Sequence, residues 1–134
     1  MKINWKIVIA ALAGVSVGIA GGVIGGSVVR GQQAKPGPGF VIAEVDVHDP
    51  AAMQKYGEKV PETLAPFKHQ FLVRGSKAQP LEGDPPKGAI VVIQFESAQK
   101  AREWYDSPAY RTILPIRQGA ATSRLYIVEG LPTQ

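Results

Sequence analysis

A guanidinium, a carboxylate, a carboxamide and a phenol, from Arg74, Glu44, Gln94 and Tyr126, make a set able to hold a small polar or anionic molecule. Arg74 offers a rigid fork of donors that fits a carboxylate. Glu44 is either a general base, if burial raises its pKa, or only the ion-pair partner of Arg74, a role open to Asp46 as well. His69 titrates near neutrality and is the other acid–base candidate, unless it is simply solvated beside Lys68. Tyr105 and Tyr110 stand with Trp104 in an aromatic set that either closes a pocket mouth or fills core. Arg117 and Arg124 could add anion contacts, but solvated positions are favoured for both. His48, Asp46 and Asp49 could donate to a metal, but Asp49 is placed to cap a helix, and no metal is expected. The chain has no cysteine, which excludes thiolate nucleophiles, disulfides and thiolate metal sites. The segment VRGSK at 73–77 lacks the first glycine and the spacing of a phosphate loop, and no dinucleotide fingerprint is present, so no cofactor is implied.

These side chains need a sheet to bring them together, and period-2 alternation supplies one. Strands are predicted over Phe40–His48, Gln70–Arg74, Ala89–Glu96 and Arg124–Glu129. Asp49-Pro50 starts a helix carrying Met53, Tyr56, Val60, Leu64 and Phe67, with Pro61 expected to kink or split it. Ser97 caps a short helix bearing Trp104, and Ser107-Pro108 starts another bearing Tyr110, Ile113 and Leu114. The order β-α-β-β-α-β is the split βαβ arrangement of an α+β, ferredoxin-like domain with a four-stranded antiparallel sheet. In the expected strand order 4-1-3-2, one sheet face is wholly apolar. The other mixes Ile42, Leu72, Val92 and Val128 with Glu44, Asp46, Arg74, Gln94, Arg124 and Tyr126, placing Gln94 beside Arg74. Left in water, that mixed face would be an apolar patch, and two copies packed face to face would bury it.

Charge separates the chain into two parts. Of a formal +4, three charges come from Lys2, Lys6 and Arg30, which leaves +1 from residue 31 onward. The domain therefore lacks the clustered cations that phosphate backbones require, and nucleic acid is not an expected partner. Between those charges, residues 7–29 form an uncharged run that as a helix would be about 35 Å long, against a hydrocarbon core of about 30 Å. Its length suits a transmembrane anchor, whereas its six glycines suit a cleavable signal. Lysines before the run point to a domain outside the cytoplasm, membrane-anchored or secreted. Residues 1–30 are thus read as anchor or signal, 31–39 as a linker stiffened by Pro36 and Pro38, and 40–131 as the folded domain. A domain this small buries only about 60–65% of its unfolded surface, which favours a homodimer.

The blocks FVIAEVDVHDPAAMQKY (40–56), FLVRGSK (71–77), LEG (81–83), IVVIQFES (90–97), WYDSPAY (104–110), LPIR (114–117) and SRLYIVEG (123–130) resemble the domain-of-unknown-function family 1330. The resemblance implies a dimeric α+β barrel and agrees with an exported chain, but implies no reaction. Lys68 and His69 depart from it, since members often carry glycine there. Three functions follow as expectations. The first is a homodimer that binds a small polar or anionic molecule on the sheet face, through Arg74, Glu44, Gln94, Tyr126, Tyr105 and Tyr110. The second is a cofactor-free enzyme of monooxygenase or isomerase type, which the fold superfamily hosts. The third is a structural, membrane-tethered dimerisation module.

Overall fold

The computed structural model describes residues 34–132. Seven elements lie within them, in the order β1 (Gly39–Val47), α1 (Pro50–Leu64), β2 (His69–Lys77), β3 (Ala89–Phe95), α2 (Ala98–Asp106), α3 (Pro108–Ala120) and β4 (Ala121–Glu129). The expected N-terminal hydrophobic helix over residues 7–29 lies outside the described residues, and residues 34–38 of the linker reach β1 without regular structure.

Short polar side chains set the helix starts. Asp49 Oδ1 accepts from the Ala52 amide at 3.0 Å at the head of α1, and Ser97 Oγ accepts from Lys100 at 3.1 Å at the head of α2. Ser107 works on both sides of a break: its hydroxyl donates to the Trp104 carbonyl at 2.7 Å and accepts from the Tyr110 amide at 3.3 Å. It thereby ends α2 and opens α3. Of the kink or split expected at Pro61, the split does not occur, since α1 runs through it. The proline stands in the last turn, so the only ladder bond it removes is the one to the Gly57 carbonyl, and the Ala65 amide still closes on the Pro61 carbonyl at 3.0 Å.

The strands pair antiparallel in the order β2-β3-β1-β4, as expected. Along β1, Val41 lies opposite Ile93 and Ile127, and Ala43 opposite Val91 and Leu125. This apolar face carries the helices, and the core forms there from Val41, Ile93 and Phe95 with Leu64, Trp104, Tyr110, Ile113 and Leu114. Trp104 stacks at a tilt on Tyr110, centroids 4.3 Å apart, and on Phe95 at 5.5 Å. Its indole N–H donates to Thr63 Oγ1 at 3.0 Å, and that hydroxyl donates to the Val60 carbonyl at 2.8 Å, so these two buried polar groups are satisfied.

β2 departs from simple alternation. Phe71 pairs with Ile93, but Val73 then pairs with Val92 and Arg74 with Val91, and a second shift separates Arg74 from Ser76. Each shift is a bulge, one extra residue that turns the following side chains to the opposite face. Gly75, at φ 77°, takes the backbone through the second one.

Candidate functional site

The bulge at Leu72 decides where Arg74 goes. Alternation assigned it to the mixed face beside Gln94. Instead Arg74 lies opposite Val91, whose side of the sheet is the helix side, and its guanidinium sits 4.8 Å from the Phe71 ring centroid. Gln94 pairs with Gln70 and Phe40, whereas Glu44 pairs with Ile90. Four residues of strand, about 13 Å, separate those two registers. Arg74, Gln94 and Glu44 therefore do not form one site.

What the mixed face does bring together is Glu44, Arg124 and Tyr126. Arg124 donates to Glu44 Oε2 from Nη2 at 2.6 Å and from Nε at 3.1 Å. Tyr126 donates its hydroxyl to Glu44 Oε1. Cross-strand register explains the trio, since Glu44 lies directly opposite Arg124. The Tyr126 hydrogen bond, then the Arg124 guanidinium, hold the Glu44 carboxyl below its ordinary pKa. That is the opposite of what a general base near neutrality needs. A hollow of about 650 Å³ runs along Glu44, Arg124, Asp46 and the Asp84–Lys87 loop.

His69 lies at the other end of the sheet, opposite Phe95, with its Nδ1 2.8 Å from the Phe67 carbonyl and its ring edge-on to Phe71 at 6.1 Å. It is exposed and has no carboxylate partner among the described contacts. Tyr105 is half-buried, stacked at 5.3 Å on Tyr110 and covered by the Arg111 guanidinium at 5.1 Å. Asp49 is occupied as the α1 cap.

The best-formed concavity lies on the helix side. A cavity of about 250 Å³ runs between the sheet and α1, α2 and α3. Val41, Ala43, Val91 and Ile93 form its floor, Met53, Tyr56, Gly57 and Val60 one wall, and Trp104, Tyr110, Arg117 and Leu125 the other. Exposed Val47, Arg74 and Gly75 mark its rim. Polar groups inside are few. The Tyr56 and Tyr110 hydroxyls share a hydrogen bond at 3.0 Å. Burial, then the neighbouring Tyr110, push the Tyr56 phenol well above its ordinary pKa, so it remains a neutral donor and acceptor.

Arg117 is the residue that sequence reasoning misplaced. A solvated position was favoured over an anion contact, yet it is 5% exposed. The signal was present: Tyr110, Ile113, Leu114 and Arg117 continue one i, i+3, i+4, i+7 stripe, so position 117 belongs to the buried face of α3. Of the expected site residues, the cavity collects Arg74 and Tyr110. The mixed face keeps Glu44 and Tyr126 and, about 13 Å along the sheet, Gln94, whereas Tyr105 and His69 stand apart from both.

Residues 38–131 match the model of a domain-of-unknown-function family, DUF1330. No curated protein matches the sequence. Among solved structures, a Rhodopseudomonas palustris protein of unknown function is similar, with a TM-score of 0.56 at 21% identity over 72% of this chain and 85% of that one. A hypothetical Arabidopsis thaliana protein is similar with a TM-score of 0.52 at 16% identity, over 77% and 95% of the two chains. SnoaB, a cofactor-independent oxygenase from Streptomyces nogalater, follows at 0.49 and 15%, over 72% and 96%. These likenesses concern the fold and carry no chemistry across.

Proposed function

The chain belongs to the DUF1330 family, whose name assigns no reaction, and we propose that its domain is a binding module for a small, mainly apolar molecule held within each protomer, between sheet and helices. The observation that carries this reading is the cavity of about 250 Å³ lined by core side chains and closed at depth by Tyr56, Tyr110 and Arg117. At about 30 Å³ per water-sized group it holds about eight non-hydrogen atoms, somewhat less than a common ligand pocket. Binding is favoured over catalysis because the acid–base candidates Glu44 and His69 are not among the residues that line it. The small ligand therefore moves from the open sheet face to the helix side. The mixed face serves self-association: it presents Leu72, Tyr126 and Val128, 47%, 41% and 45% exposed, and a homodimer would cover them. The apolar run at residues 7–29 and the lysines before it support a domain tethered to, or released across, a membrane and outside the cytoplasm.

A cavity-filling variant tests the binding reading. Gly57 lies on the inner stripe of α1 with Met53, Tyr56 and Val60, and a Cβ added there meets nothing within 4 Å. Gly57→Leu should fill the cavity and raise the melting temperature, aided by about 1 kcal/mol of helix propensity. A true ligand at 100 times its dissociation constant should stabilise the wild-type chain by roughly 2.7 kcal/mol and leave the filled variant unmoved. Equal stabilisation of both proteins would place the ligand elsewhere.

A further inference from the structure

Arg117 carries a positive charge into the interior, where it meets the Tyr56 hydroxyl as a hydrogen-bonding neighbour but no anion. It is the only charged side chain buried among the described residues. A guanidinium does not deprotonate in a protein, so it cannot escape the cost of burial by becoming neutral. Counter-charge is missing on every side from which it could come. The ion pairs among the described residues use Glu44, Glu103 and Asp106, and none involves Arg117. No Asp or Glu lines the cavity. The guanidinium also borders a second hollow, at the corner between α3 and β4, formed with Tyr105, Gln118, Thr122 and Ser123, and again without an acid. Tyr56 stays a neutral phenol. The C-terminal end of α3 supplies at most about half an elementary charge, and its Ala120 carbonyl already accepts from the His48 and Asp49 amides.

Two hydrogen-bonding groups add to this imbalance. Arg117 Nε and Ser123 Oγ are buried atoms with no hydrogen-bond partner among the described residues, and both residues line the α3–β4 corner hollow. An oxyanion satisfies both, because it accepts from an N–H and from a hydroxyl at once. Arg117 and Leu125 border both hollows, so a head group at the guanidinium and an apolar body in the cavity belong to one molecule.

We propose that the ligand of the cavity is a small carboxylic acid, its carboxylate held against Arg117 with Ser123 as a second donor and its hydrocarbon part among Val41, Ile93, Trp104 and Tyr110. This specifies the chemical class of the ligand and rests on the binding reading above. Calorimetric titration of the full chain tests it, with benzoate and hexanoate against benzamide and hexanamide, which have the same size and shape but no charge. The acids should bind at least tenfold more tightly than the amides. Arg117→Met should erase that preference, Arg117→Lys should retain part of it, and Ser123→Ala should weaken the acids a few-fold without affecting the amides. Gly57→Leu should abolish binding of both. Amides that bind wild type as well as acids do, or an acid preference that survives Arg117→Met, would overturn the assignment of charge while leaving the cavity as the site. Should Arg117→Met fail to fold, the acid-to-amide ratio in wild type and in Arg117→Lys decides the same question. Failure of all four compounds to bind wild type would overturn both readings together.

Discussion

Glu44 marks how a single side chain changes meaning with its neighbours. Tied to Tyr126 and Arg124, it is an anchored anion joining two adjacent strands, not a base in waiting. Its folded pKa lies below the ordinary 4.5, so the stabilisation it contributes is fully present above that value and is lost as the pH falls through the lower folded value. Urea unfolding of wild type and Glu44→Gln should therefore differ at about pH 7, and the two curves should converge as the pH falls below the ordinary 4.5. A gap that persists at the acid end would mean that carboxylate charge is not what the residue contributes. The trio is exposed on the Arg124 side, where solvent and salt weaken it, so added salt should narrow the gap at neutral pH as well.

At the scale of elements, the β2–β3 hairpin decides the geometry, through two glycines that behave differently. Gly75 sits at φ 77° in open space, so Gly75→Ala should cost only the left-handed penalty of about 1–2 kcal/mol. Gly88, at φ 80°, turns the chain into β3 against β1, where a Cβ would collide with the Val45 carbonyl. Gly88→Ala should therefore lower the urea midpoint by clearly more than Gly75→Ala. Equal effects would show that the approach to β1 does not constrain this turn.

The same elements show what was legible in the sequence. Hydrophobic period and capping residues located all four strands and all three helices, because burial of one face and the satisfaction of helix-end amides are local requirements. The apolar face of β1, β3 and β4 followed from the same alternation. β2 did not, because a bulge shifts every later side chain to the other face and leaves little trace in composition. Arg74 was consequently assigned to the wrong side, and Glu44 was given Arg74 as its partner when Arg124 stood directly across the ladder. Arg117 was misplaced for another reason: charge was taken to favour exposure, although its position on the stripe of α3 said otherwise.

For the whole molecule, the open question is how the mixed face is covered. A stable protein interface needs about 800 Å² from each partner, and Leu72 and Val128 are the natural apolar centres of such a contact. The full chain should sediment as a dimer, and the double variant Leu72→Glu, Val128→Glu as a monomer, since two acidic pairs would then face each other without counter-charge. A wild-type chain that stays monomeric at tens of micromolar would dispose of association through this face. The cavity lies on the far side of the sheet, so binding of benzoate or hexanoate should survive the double variant.

One contact at the edge of the domain bears on how it carries load. The Gly130 amide donates to the Pro38 carbonyl at 2.7 Å, just below the point where β1 begins and β4 ends. The two strands are antiparallel neighbours, so chain enters and leaves at the same end. Tension applied between those two ends would act across the ladder, along its hydrogen bonds, and would open them one after another from the Pro38–Gly130 clasp inward. Pulled this way the domain unzips at low force. Held by its N-terminal end alone, it leaves the β1–β4 ladder unloaded, and the cavity rim at Val47 stands a full strand length, about 30 Å, from the point of attachment.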